Sequence, residues 1–271
     1  MSRIALKPNQ NVFHIPNDGT QKVVLIDLSE TSQKEVHLVI APEARFDLLL
    51  LNADADKELH IECSEYAQGS FQVAMMKPNK NLTMQIVMNT GVEIDASLAD
   101  FTQGKGKMIV NAELLGRGAR LEWRTAALSS HQDRKYYSVS FLHTERDTYA
   151  NMTNFGVTEG SSSLQFSGTG HIINGAKNSK THQNAKIMVF DPKCFGRADP
   201  ILKIDENEVE ASHAATVGKV NDEHLFYLCS RGLTKQEAKR VITLGYLNPI
   251  IQYFTDESLK AELSSLIEVV S

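Results

Sequence analysis

From Val23 to about Val209 the chain is a succession of short apolar or alternating runs: VVLIDL, VHLVI, FDLLLL, LHIEC, FQVAMM, LTMQIVM, VEIDASL, KMIVNAELL and ARLEW. Each is closed by Gly, Asn, Asp or Pro. Runs of this length suit strands and are too short for packed helices. In VEIDASL, Val92, Ile94, Ala96 and Leu98 alternate with Glu93, Asp95 and Ser97, so at period two one face is apolar and the other wet. Leu121 and Trp123 alternate in the same way with Arg120, Glu122 and Arg124. Turn residues recur at roughly ten-residue intervals, among them Asn89 to Gly91 and the pairs Gly104, Gly106 and Gly116, Gly118, as an all-β body requires. Sandwich, closed barrel and stacked β-helix all satisfy this pattern, and no strict internal repeat is visible.

After Val217 the period changes. Asn221 can cap a helix through Leu225, Phe226 and Leu228, and Gly232 supplies its stop. Thr234 and Glu237 form a capping box ahead of Ala238, Val241 and Ile242, a helix that Asn248 and Pro249 are expected to interrupt. Leu259, Leu263, Leu266 and Ile267 then mark a last amphipathic stretch. The expected division is a β body over 1–218 and a small helical domain over 219–271, the latter more a cap on the β core than a separate partner-binding module.

Composition removes several functions. With 28 Lys and Arg against 33 Asp and Glu, a net charge of -5 and no basic block, the chain has no electrostatic footprint for nucleic acid. The first sixteen residues contain no apolar stretch of signal-peptide length, and the most apolar run, Leu48 to Leu51, is far too short for a bilayer. A cytoplasmic protein away from membranes is predicted. Cys63, Cys194 and Cys229 are widely spaced and never form CxxC, so they support neither a disulfide framework nor a four-cysteine zinc site, and they suit a reducing compartment. GxxxxGK[ST], GxSxG and HExxH are all missing, and the glycines of GKGK, GRG and GTG lack a strand-then-helix context. His213, in ASHAATVG, is surrounded by small residues that allow another surface to approach. On its own it reads as a structural histidine, as do His182 and His224.

The segment PILKIDENEVEASHAATVGKVNDEHLFYLCSRGLTKQEAKRVITLGYL combines Pro200, Leu202 and Ile204 with Ser212, His213, Ala215, Thr216 and Gly218. It continues with Leu225 to Leu228 and Ser230 to Gly232 before a capped helix. In this it resembles the SufB and SufD family of iron–sulfur cluster assembly proteins. Phe166 to Gly168 and the stretch through Gln183 are similar more weakly, and the firm likeness covers roughly the last third of the chain. The resemblance implies a mainly β chain, a right-handed parallel β-helix with a small C-terminal α-helical domain. Where SufB-like members carry a functional cysteine and two carboxylates, this chain has Asn184, Ser212 and Ala214. The histidine that SufD-like members place at the SufB interface corresponds to His213, whereas Ala211 and Ala214 replace the cysteine and glycine often found beside it. The likeness thus implies a SufD-like, non-catalytic subunit rather than an enzyme. It would pair with a SufB-like subunit, with His213 at the assembly site as the expected metal ligand. It would bind the SufC ATPase around Leu225, Phe226, Tyr227, Arg231 and Gly232. An iron–sulfur cluster would be transient and shared with the partner, none being held stably by the chain alone. The alternatives are a self-paired scaffold acting with SufC as a homodimer and a β-helix enzyme acting on polysaccharide.

Overall fold

The computed structural model describes residues 2–3, 11–51, 57–78 and 80–270. Its early strands are short: β1 (Ser2–Arg3), β2 (Val12–Ile15), β3 (Gln21–Asp27), β4 (Glu35–Ile40), β5 (Arg45–Leu51), β6 (Lys57–Cys63), β7 (Gln68–Met75), β8 (Lys80–Met88) and β9 (Glu93–Asp100). The later ones have ten residues each: β10 (Lys105–Leu114), β11 (Arg120–Ser129), β12 (Arg134–His143), β13 (Tyr149–Thr158), β14 (Ser163–Ile172), β15 (Lys180–Val189), β16 (Phe195–Ile204) and β17 (Glu210–Lys219). Odd-numbered strands form one sheet in chain order and even-numbered strands another. Every pairing is parallel, as in β11 with β13 and β12 with β14. Parallel neighbours cannot be joined by a hairpin, so the chain crosses to the opposite sheet after each strand and winds into a solenoid. The β-helix is thus chosen over the sandwich and the barrel.

The core lies between the sheets, where Leu38, Leu48, Ile61, Phe71, Met84, Val110 and Trp123 are buried. Each turn buries its lumen face against the turns above and below it. Successive turns also grow through the middle of the stack. Arg45 pairs with Gln68, Gln68 with Glu93, Glu93 with Arg120, Arg120 with Tyr149 and Tyr149 with Lys180, so the middle steps are 23, 25, 27, 29 and 31 residues, flanked by 24 from Gln21 to Arg45 and 30 from Lys180 to Glu210. A drifting period leaves no fixed repeat in the sequence.

One corner is a ladder of left-handed residues, Glu43, Tyr66, Gly91, Gly118, Asp147 and Asn178, all at positive φ. Each donates its N–H to a carbonyl one turn further on, from Glu43 to Glu65 at 2.8 Å through to Asn178 to Glu208 at 2.6 Å. Gly91 has a second reason to be glycine: a Cβ there would lie 2.5 Å from the Tyr66 ring.

Three helices follow, α1 (Asp222–Ser230), α2 (Lys235–Ile251) and α3 (Glu257–Val270). Asn221 caps α1, and Thr234 with Glu237 closes the expected capping box on α2. Pro249 does not interrupt α2, which runs on to Ile251. Proline there forfeits the bond to the Gly245 carbonyl, about 3 kcal/mol in a helix interior. Burial of Ile250 and Ile251, 2% and 0% exposed, returns roughly 1.5–3 kcal/mol each. The helices lie on the outer face of the nine-stranded sheet, where Leu247, Ile250, Phe254, Leu263 and Ile267 share one core with Ala99, Ala126, Leu128 and Val157. Polar contacts pin them: Thr255 N–H donates to Gln72 Oε1 at 2.8 Å, and the Arg124 guanidinium lies 3.7 Å from the Tyr253 ring centroid. This cover corrects the reading of Ser97 as a wet position, since it is 2% exposed. Among the described residues no helix is long and apolar enough to cross a membrane.

Candidate functional site

Among the described residues no strand is stacked on the last turn of the solenoid. β16 ends the eight-stranded sheet and β17 the nine-stranded one. Each therefore offers a ten-residue edge with an unpaired row of backbone donors and acceptors. Their side chains are exposed to match: Glu210 through Val217 lie open, as do Phe195 and Ile201. Small residues dominate β17, with Ala211, Ala214, Ala215 and Gly218 leaving the edge sterically accessible.

His213 sits in the middle of this edge. It pairs in register with Gln183, whose side chain faces the lumen, so His213 is set over the open end of the lumen with Ala211 and Ala215 on the same face. Ser212 and Ala214 belong to the opposite, outer face. His182 lies on that outer face, its Nδ1 2.8 Å from Ser212 Oγ and its ring against Tyr149, so the structure separates it from His213. Asn184 pairs with Ala214. Charges around the turn are already matched, Lys180 with Glu210 at 2.7 Å and Arg197 with Asp199 at 2.7 Å. The Lys180 ammonium holds the Glu210 carboxyl below the usual carboxylate range.

The three thiols do not converge. Cys63 faces the lumen, where burial pushes its thiol far up. Cys194 lies between β15 and β16 with Sγ 3.6 Å from the Gly160 carbonyl, and Cys229 belongs to α1. Among the described residues no three His, Cys, Asp or Glu side chains are grouped to hold a metal ion.

On α1 the predicted docking residues divide. Leu225 turns into the shared core, whereas Phe226 and Tyr227 are 75% and 56% exposed. Arg231 stacks on Tyr227 at 5.1 Å, Gly232 ends the helix at φ +98°, and His224 is exposed in the first turn. The apolar runs named from the sequence cover β3 to β11, so β2 and β12 to β17 are not picked out by that pattern. In β14 the signal is alternation by size rather than hydropathy, with Leu164, Phe166, Gly168, Gly170 and Ile172 along its lumen face.

Residues 20–246 match the SufBD core domain of SUF system FeS cluster assembly. The chain is 34% identical over 155 residues to the iron-sulfur cluster assembly protein SufD of Bacillus subtilis, a match covering 57% of this chain and 36% of that protein. It is 29% identical over 156 residues to an iron-sulfur cluster assembly SufBD family protein of Mycobacterium tuberculosis, covering 58% of this chain and 18% of the other. A SufBD family protein of Staphylococcus epidermidis is 24% identical over 158 residues, covering 58% and 34%. The chain thus spans about a third or less of the length of these relatives.

Proposed function

Because this chain belongs to the SufBD family of iron–sulfur cluster assembly proteins, as a SufD-like member, we propose that it is a non-catalytic scaffold subunit. Clusters would be built on it jointly with a SufB-like subunit and the SufC ATPase, in a reducing, cytoplasmic setting. The observation that carries this reading is the open terminal turn. A partner strand laid along β16 or β17 would satisfy the unpaired backbone row by strand addition and cover Ile201 and Val217. His213 would then lie in the seam, where a water-poor interface favours ligation. The cluster is substrate here. A single imidazole cannot hold it, so the remaining ligands, thiolates by preference, come from the partner and the cluster is shared. The exposed Phe226, Tyr227 and Arg231 of α1, bounded by Gly232, form the SufC dock, an aromatic and arginine composition typical of binding hot spots.

Val217→Lys tests the pairing edge, since a charge on an exposed edge strand opposes pairing while adding little strain. Capture of a SufB-like subunit on co-expression should be lost with the melting temperature of the free chain unchanged. Undiminished capture would move the pairing surface elsewhere. Loss of a homodimer in sedimentation would instead assign the edge to self-pairing.

A further inference from the structure

Near its open end the interior of the solenoid becomes polar. Lumen positions of β13, β14 and β15 hold Asn154, Gly168, Gly170, Thr181 and Gln183; one turn earlier, Val139, Phe141, Ala150 and Met152 stand in register with the last four of these. Asn154 and Gln183 are 3% and 5% exposed. Gln183 Nε2 donates to the Ile201 carbonyl of β16 at 2.9 Å. Its Oε1 and Asn154 Oδ1 accept no hydrogen bond from the protein. Both residues line one cavity of about 10 Å³ together with Met152, Phe166 and Gly168. Gly168 keeps that space: a Cβ there would lie 2.8 Å from Gln183 Oε1 and 2.9 Å from Met152 Sδ. The glycine of the FSG segment, which the pairing reading leaves unexplained, therefore has a task inside the lumen.

Two buried acceptors on one small cavity call for a ligand with two donors. Water is that ligand at this size, since a space of about 10–15 Å³ for its centre suffices and it carries two O–H groups. A hard cation would want six or more oxygens, but Met152, Phe166, Ala185 and Pro200 make much of the wall apolar, and the Asp199 carboxylate at its edge is already engaged by Gln165 and Arg197. We infer that Asn154 and Gln183 bind an internal water molecule that donates one hydrogen bond to each amide oxygen. This bridge fixes Gln183 and, through its bond to Ile201, ties the open edge strand β16 to the lumen. The inference stands apart from any partner or cluster.

A crystal structure of the whole chain at a resolution that shows ordered solvent tests it directly. One peak about 2.8 Å from both oxygens is expected. An empty cavity, a peak touching one oxygen alone, or contacts of metal-ligand length would overturn the inference. In solution, the Gln183 side-chain amide should show a nuclear Overhauser effect to long-lived water. Asn154→Leu removes one acceptor and leaves the Gln183–Ile201 bond in place. It should abolish that effect and lower the melting temperature by about 2–4 °C. An unchanged water signal in that variant would overturn the bridge, and if the variant does not fold the wild-type measurements still decide.

Discussion

Lys135 carries a charge into the lumen and spends all of its donors there. Its Nζ donates to Asp100 Oδ1 at 3.2 Å and to the Thr102 and Leu128 carbonyls at 2.6 Å each, while the Tyr137 hydroxyl donates to Asp100 Oδ2 at 2.7 Å. Removing one partner strands the other, so Lys135→Met should cost about 3–5 kcal/mol in denaturant unfolding. Asp100→Leu combined with Lys135→Met should cost less than that single change. His143 behaves differently. Its ring is fully buried beside Thr148 Oγ1 at 2.8 Å, and burial, with the charge of His171 as a smaller cause, lowers its pKa from 6.5 to about 4. The unfolded chain therefore binds the proton first on acidification. The stabilisation is present above pH 6.5 and is lost as pH falls toward 4, on the order of 3 kcal/mol in all. His143→Gln should flatten the melting temperature across that window. At the open edge, His213→Ala should leave melting temperature and pairing nearly unchanged yet reduce the activity of a cluster-dependent enzyme in cells relying on this chain. A lower melting temperature would assign His213 a structural role, and full cluster supply would remove it from assembly.

At the scale of elements, the helices cover an apolar strip, with Phe101, Ala126, Leu128 and Val157 packed beneath them. Truncation before Asn221 should lower the melting temperature and drive association visible by light scattering. A monomeric, equally stable solenoid would show that the strands hold without the cap. The same strip explains what the sequence concealed. Strands from β3 to about β11 are legible because their lumen positions are Leu, Ile, Val, Phe and Met against a wet face. β13, β14 and β15 are not, since Asn154, Gly168, Thr181 and Gln183 replace that apolar column. Ser97 looks solvated in sequence and is buried because α2 and α3 come from far along the chain. His213 is recognisable from its segment, but its exposure depends on β17 being the last strand, which only the assembled stack defines.

Across the whole molecule the middle turns widen from 23 to 31 residues, and the strands lengthen from four in β2 to ten in β17. Among the described residues the first turns are therefore narrower than the last ones. A ten-residue edge set against the four residues of β2 would stay mostly bare, whereas two ten-residue edges match along their full length. Any self-association should accordingly stop at pairs, and light scattering at rising concentration should not pass the mass of two chains. Steady growth into fibres would contradict this. A solenoid of uniform girth has no such brake, for every added copy reproduces the surface that recruited it. The taper gives the stack of described turns a direction, and joining two broad turns uses up the surface that recruited them.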